Sequence, residues 1–212
     1  MIKHKAIEGG MGIHLYRNFS NQMSRGDWII QEVFENCDFI QRLLPDTAPL
    51  STVRIITSSS ADKTVPIKPL TVVFRAGRSN EFTDHNAIFF NIDMTSGILS
   101  SGTTTQHWNK LGIHYFCQPD TSMWKEYMIH PDSGVRIEGV KWTNVVESIQ
   151  IACNAHEKMC RDVPLIGWDV AHTSKGIILL ELNISCNFFN GKFDKKYYTD
   201  FCYQWFHVLD KI

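Results

Sequence analysis

The sequence predicts an α+β fold, a largely antiparallel sheet with a few helices packed on one side. Three observations carry this. Strand-length apolar runs, separated by Gly, Ser, Asp and Pro turn signals, fill the first half of the chain. Helical periodicity is confined to 143–160 and the stretch after 194. Two apolar runs flank Ser174-Lys175-Gly176, and a short turn of that kind joins antiparallel strands.

In chain order, 2–7 reads as a short strand, 8–12 (EGGMG) as a flexible glycine loop and 13–16 as a second strand. A polar connection leads to a strand over 27–34. Residues 38–44 form a short helix that stops before Pro45. Strands follow at 52–57 and 67–76, then a hairpin from 87–93 and 97–103. Residues 104–133 carry no clear period. Thr143 is placed to cap a helix reaching about Cys160, with Val145, Ile149, Ala152 and Met159 on its apolar side. Asp194 starts a last helix with Tyr198, Phe201, Trp205 and Leu209 as its stripe.

Totals narrow the function classes. The chain has 212 residues, 43% apolar and 20% charged, with formal net charge −1. A balance this close to neutral offers no broad basic face for nucleic acid. No run approaches the roughly 18–20 apolar residues of a membrane span. The six cysteines include no CxxC pair, and a chain of this size needs no disulfide framework. They read as reduced thiols, and the protein as cytoplasmic.

The hairpin 165–183 (LIGWDVAHTSKGIILLELN) raises a chemical question, because it carries two acids within apolar runs. Side chains alternate along a strand. If the turn has three residues, Thr173 faces Ile177 and paired numbers sum to 350. Asp169 then faces Glu181, and Asn183 lies on the same face opposite Gly167. Ile177 and Leu179 fall on that face too. Opposed like charges with Cβ atoms about 4.5–5.5 Å apart repel, and a divalent cation would remove the penalty. Mg²⁺ takes carboxylate and amide oxygens and leaves room for phosphate. Two solvated acids on an exposed strand, or a bulge that separates them, are the alternatives. Cys153, His156 and Cys160 share a helix side but supply only three zinc ligands; packed residues are the stronger reading. Asp84, His85 and Asn86 form a polar cluster that either borders a substrate site or makes a plain turn.

IGWDVA followed by LLELN resembles the Mg²⁺-binding end of the ATP-grasp superfamily, and more closely the sugar-transfer-associated ATP-grasp family. Other segments are similar in the same order: IKHKAIEGGMGI at 2–13, WIIQEVFEN at 28–36, STVRIIT at 51–57, VVFRAG at 72–77 and HPDSGVRIEGVKW at 130–142. The resemblance implies an ATP-grasp-like fold, with a partial central lobe over 1–48 and a C-terminal lobe over 49–212. It implies ATP and Mg²⁺ as cofactors, and a carboxylate-amine type of ligase acting through an acyl phosphate.

Roles follow by matched position. The resemblance assigns ATP contacts to Lys3, with Lys5 a weaker substitute on the same strand face. Gly9, Gly10 and Gly12 would close over the phosphates, since glycine permits close backbone approach and amide nests bind anions. Glu32 and the backbone near Val33 would receive adenine. Arg54 and Arg75 would face phosphate or an anionic substrate, with Asp93 as the alternative structural partner. Asp169, Glu181 and Asn183 would hold the metal. The second substrate is an unidentified carboxylate or sugar-linked molecule, with polysaccharide or sugar-conjugate assembly as the associated process.

The match also departs from the pattern. The family has a further lobe ahead of the lysine strand, whereas this sequence opens two residues before Lys3. A partner chain is one source for that lobe, and a non-catalytic nucleotide-binding module or partner subunit is the competing reading. Asn86-Ala87 stands where the family often has a glycine pair. Gly167 stands where many relatives carry arginine, two residues before the metal-binding aspartate.

Overall fold

The computed structural model describes residues 2–4, 13–14, 27–104, 125–184, 186 and 193–211, with backbone alone for 2–4, 13–14 and 85. A small antiparallel sheet, in the order β2-β1-β3, joins Ile2–His4 (β1), Ile13–His14 (β2) and Trp28–Ile30 (β3). The strand expected over 27–34 is thus three residues long. Beyond it the backbone serves the larger sheet: Asn36 bridges Thr173, and Cys37 N–H donates to the His172 carbonyl at 2.9 Å.

The larger sheet contains Thr52–Ser58 (β4), Lys68–Ala76 (β5), Ile88–Ile92 (β6), Leu99–Thr104 (β7), Leu165–Thr173 (β8) and Gly176–Asn183 (β9). Its order is β7-β6-β5-β4-β8-β9, and every pairing is antiparallel. The expected α+β class holds. Helices are Asp38–Gln41 (α1), Val145–Met159 (α2) and Lys195–Leu209 (α3).

Alternation sorts the side chains. Val53, Ile55, Val72, Phe74, Ile88, Phe90, Trp168 and Val170 project to one face, where Ile40, Trp142, Val145 and Ala152 close the core. Trp142 packs against Phe74 at 4.9 Å and edge-on to Phe39 and His172 at 5.2 and 5.0 Å. Arg54, Arg75 and Asp169 occupy intervening positions and project to the other face.

The two long helices differ in detail from expectation. Asn144, not Thr143, is the N-cap of α2 and makes no side-chain cap bond. The buried face of α2 is Val145, Ser148, Ala152 and His156, whereas Met159 is exposed. The polar members belong there because each is bonded: Ser148 Oγ to the Asn144 carbonyl and to His172 Nε2, His156 to Thr57 and to the Val163 carbonyl. In α3, Asp194 does cap, accepting from Tyr197 N–H at 3.0 Å. Phe201 is buried there, but Leu209 is exposed at the far end.

The hairpin turn also differs. Ser174-Lys175 is a two-residue turn, with Thr173 opposite Gly176. Gly176 adopts φ +111°, which glycine tolerates without a Cβ clash. Past the turn, Val170 pairs with Leu179 and Asp169 with Glu181, so β9 carries one extra residue, Leu180, as a bulge. The bulge restores the expected opposition of Asp169 with Glu181 and of Gly167 with Asn183. It also reverses the face of the residues before it. Ile177 and Leu179 pack against the core with Leu182, correcting their expected place beside Glu181.

Candidate functional site

Asp169 is the centre of the polar face and is 4% exposed. β4 lies beside β8 with Arg54 directly opposite Asp169. The guanidinium meets the carboxylate at two points, Nε to Oδ1 at 2.5 Å and Nη2 to Oδ2 at 3.0 Å. Arg75, one strand further on, reaches over to donate Nη1 to Asp169 Oδ2 at 3.0 Å. Its Nη2 pairs with Asp84 Oδ1 at 2.7 Å, and Thr52 Oγ1 donates to Asp84 Oδ2 at 2.5 Å. Two arginines and two aspartates therefore alternate along a row, Arg54–Asp169–Arg75–Asp84, each nearly buried. Ionised pairs of this kind are tolerated inside because each charge has an opposite charge in hydrogen-bonding contact. Burial opposes ionisation of Asp169, but the bonds and charge of Arg54, then of Arg75, hold its carboxyl below the ordinary 3.8.

Asp93, the alternative structural partner for the arginines, has bonds of its own in the chain after β6. It caps the turn between β6 and β7, accepting from Thr95 and Ser96 N–H at 3.1 and 2.7 Å. Asp84 takes the partner role. It stands on a single 3-10 turn, Asp84–Asn86, placed just before β6, a position that strand periodicity does not address.

Glu181 faces Asp169 across the hairpin and is exposed. Asn183 is two residues further on, opposite Gly167. Its Nδ2 is buried with no hydrogen-bond partner. Turning the amide about its last bond would exchange that NH₂ for a carbonyl oxygen, a cation ligand. Gly167 makes room for the arginine: a Cβ there would stand 3.2 Å from Arg54 Cδ and 3.3 Å from Nη1. Cys186 Sγ lies 3.6 Å from the same point, and burial pushes its thiol up to about 11.

These donors fit a hard divalent cation in kind, two carboxylates and one amide. Asp169 accepts at about four lone-pair positions, and arginine N–H groups take three of them. Among the described residues no three His, Cys, Asp or Glu side chains converge as a metal-binding group. His156 in particular is committed to Thr57 and Val163, so the zinc alternative on Cys153, His156 and Cys160 falls away. The five described cysteines are free thiols.

Of the other sequence candidates, Glu32 forms an exposed ion pair with Lys175 on the hairpin turn. Val33 beside it is 54% exposed. Lys3 is described by its backbone, which pairs with Ile13 and Ile29; its side chain, and Lys5, Gly9, Gly10 and Gly12, lie outside the described residues. No helix of the described residues is long and apolar enough to cross a membrane.

A family model described as sugar-transfer associated ATP-grasp matches residues 12–190, while no curated protein and no solved structure matches. Fold and match together define an ATP-dependent, ligase-like fold. The chain belongs to the sugar-transfer associated ATP-grasp family.

Proposed function

We propose that the chain is an ATP- and Mg²⁺-dependent ligase of the carboxylate-amine type, or its catalytic half, working in the cytoplasm in polysaccharide or sugar-conjugate assembly. Residues 1–48 form part of the central lobe in this reading, and 49–212 the C-terminal lobe. A partner chain is compatible with it, since nothing in the proposed chemistry requires one polypeptide to supply the whole site. The observation that carries the reading is the opposition of Asp169 and Glu181, with Asn183 on the same face and two arginines closing on Asp169.

In such a reaction a substrate carboxylate attacks the γ-phosphorus of ATP, giving an acyl phosphate and ADP. An amine then attacks the acyl carbon, phosphate leaves, and the amine loses a proton. Asp169, Glu181 and Asn183 would hold Mg²⁺, which when bound offsets phosphate charge. The chain's own task is positioning and charge compensation. Arg54 and Arg75 keep two guanidinium groups pre-aimed at one point. Lys3, with Gly9, Gly10 and Gly12, would contact ATP phosphates, Lys5 standing in for Lys3 if needed. Glu32 and the Val33 backbone would receive adenine, which requires Glu32 to leave Lys175; an exposed pair of this sort is worth little.

A second reading is a nucleotide-binding module without turnover. The three arginine contacts on Asp169 favour it, because they compete with a metal for the same oxygens. Calorimetry with ATP, with and without Mg²⁺, on the wild type and on Glu181→Gln tests the metal role. Magnesium-dependent binding that Glu181→Gln weakens is expected. Magnesium-independent binding, indifferent to the substitution, would remove it. Release of phosphate in the presence of a carboxylate and an amine separates ligase from module.

A further inference from the structure

The two arginines hold Asp169 unequally. Arg54 lies directly opposite it on the neighbouring strand and takes both of its oxygens. Arg75 starts from β5, opposite Thr52, so β4 stands between it and β8. Neighbouring strands are about 4.8 Å apart, and only the length of the arginine side chain lets it cross. It then makes one contact with Asp169, Nη1 to Oδ2 at 3.0 Å.

The other end of Arg75 is held more closely. Nη2 meets Asp84 Oδ1 at 2.7 Å. Asp84 is itself fixed. Its Oδ2 accepts from the Thr52 hydroxyl at 2.5 Å, and its carbonyl accepts from Ala87 N–H at 3.1 Å, which closes the 3-10 turn. Breaking the contact between Arg75 and Asp169 leaves the arginine an acid to rest on. Breaking the contact between Arg54 and Asp169 undoes two bonds at once.

This inequality bears on the metal. A cation that takes Asp169 Oδ2 meets the Arg75 guanidinium there, a like charge in a setting where charges are poorly screened. The cost of moving the arginine depends on where its charge goes. With Asp84 present, Arg75 gives up Oδ2 and keeps a hydrogen-bonded counter-ion. Without Asp84, its charge leans on Asp169, and it competes with the metal more strongly.

We propose that Arg75 is a displaceable occupant of the metal position, and that Asp84 is the positioning residue that draws it aside. Asp84 then sets the affinity for the divalent cation without being a ligand itself. The inference rests on the reading of Asp169 and Glu181 as metal ligands and adds a control on that site. It also gives the released Nη1 a use, as a donor to the phosphate that the metal accompanies.

The test measures Mn²⁺ binding to the full chain at pH 7 without nucleotide, from the electron paramagnetic resonance signal of the free ion. Asp84→Asn keeps the shape and removes the charge. It should bind Mn²⁺ about tenfold more weakly than the wild type, within the range that couplings inside one ion-pair network span. Asp84→Asn combined with Arg75→Met removes one charge of each sign and frees Oδ2. It should bind about tenfold more tightly than the wild type. The reversal is the deciding observation. An Asp84 that only supported the fold, or only attracted the cation from a distance, would weaken binding in both variants. If Asp84→Asn alone does not fold, the charge-balanced double variant against the wild type still decides.

Glu181→Gln locates the ion and should weaken binding in the wild type and in the double variant. A folded Asp84→Asn that binds as tightly as the wild type, or a double variant that binds no more tightly than the wild type, would overturn the proposal. If Glu181→Gln still weakens binding in that case, the metal ligands stand. No Mn²⁺ binding by either the wild type or the double variant, or binding indifferent to Glu181→Gln, would overturn the proposal and the metal ligands together. Binding by the double variant alone would support the proposal.

Discussion

Arg54 and Asp169 occupy directly opposed positions on β4 and β8 and meet through two hydrogen bonds, at 2.5 and 3.0 Å, inside the sheet's polar face. Each strand supplies its charge at a position where alternation turns the side chain away from the core. The pair therefore sits on a rigid, hydrogen-bonded frame, which suits a group that must be aimed.

Asp169→Asn removes the charge that balances two nearly buried guanidinium groups. Removing one partner of a buried ion pair typically costs about 3–5 kcal/mol. Asp84 stays to compensate Arg75 in part, so the lower end is expected. Urea unfolding of the variant and wild type measures it. A loss under about 1 kcal/mol, the size of an exposed pair, would mean that the cluster is solvated in solution.

How much of this arrangement is legible in the sequence depends on the range of the signal. Alternation in LELN is local, and by itself it puts Glu181 and Asn183 on one face; bringing Asp169 to that face needs the hairpin register. The opposition of Asp169 and Glu181 follows from a three-residue turn that the chain does not use; the bulge at Leu180 makes up the difference. Nothing in an unbroken IILL run marks which residue will bulge, and strict alternation misplaces Ile177 and Leu179 for the same reason. Asp84 stands out as part of a polar cluster, but its bond to Arg75 spans the β5–β6 connection, beyond the reach of local pattern. Met159 and Leu209 fit a helical stripe yet are exposed, because periodicity does not say where the covering surface ends.

Gly167→Ala tests the space reserved for Arg54. The new methyl would stand 3.2 Å from Arg54 Cδ, closer than carbon atoms normally pack, and the arginine is held by Asp169 and cannot swing freely. Overpacking of this kind costs about 1–3 kcal/mol. The expected outcome is a lower melting temperature together with weaker ATP binding, since the displaced group belongs to the proposed site. Unchanged stability would show that the strand relaxes around the methyl.

Thr57→Val tests a second buried network. His156 Nε2–H donates to the Val163 carbonyl at 2.9 Å, so Nδ1 accepts from the Thr57 hydroxyl at 2.7 Å, and the same oxygen accepts Trp168 Nε1–H at 3.0 Å. Valine keeps the shape and strands both ring nitrogens. With about 1–3 kcal/mol for each of the two buried groups left unpaired, a loss of about 2–6 kcal/mol is expected by denaturant unfolding. Thr57→Ser keeps the hydroxyl and should lose clearly less. A valine variant that loses no more than the serine variant would show that the hydroxyl's bonds to His156 and Trp168 do not set the stability of this network.

Acid should destabilise the fold well before its carboxylates titrate. Burial pushes His172 down to about 4, and burial also lowers His130 and His156 below the ordinary 6.5. His172 is neutral in the folded chain near pH 6, where the unfolded chain has begun to take up protons, and His130 and His156 take up protons less readily folded than unfolded. Stability is therefore full above about 6.5 and falls as the pH drops toward 4. For His172 alone, the gap between 6.5 and about 4 corresponds to on the order of 3 kcal/mol. Asp169 and Asp132 have lowered pKa values, Asp132 down to about 2 through its bonds to Arg78, so their contributions persist across this window and fade below it. Unfolding free energies measured from pH 7.5 to 4.5 should show the decline. His172→Gln, which keeps a donor for Ser148 Oγ but cannot charge, should flatten it even though the variant is less stable at pH 7.5. A slope unchanged by that substitution would mean that His172 is reached by water and titrates alike in both states.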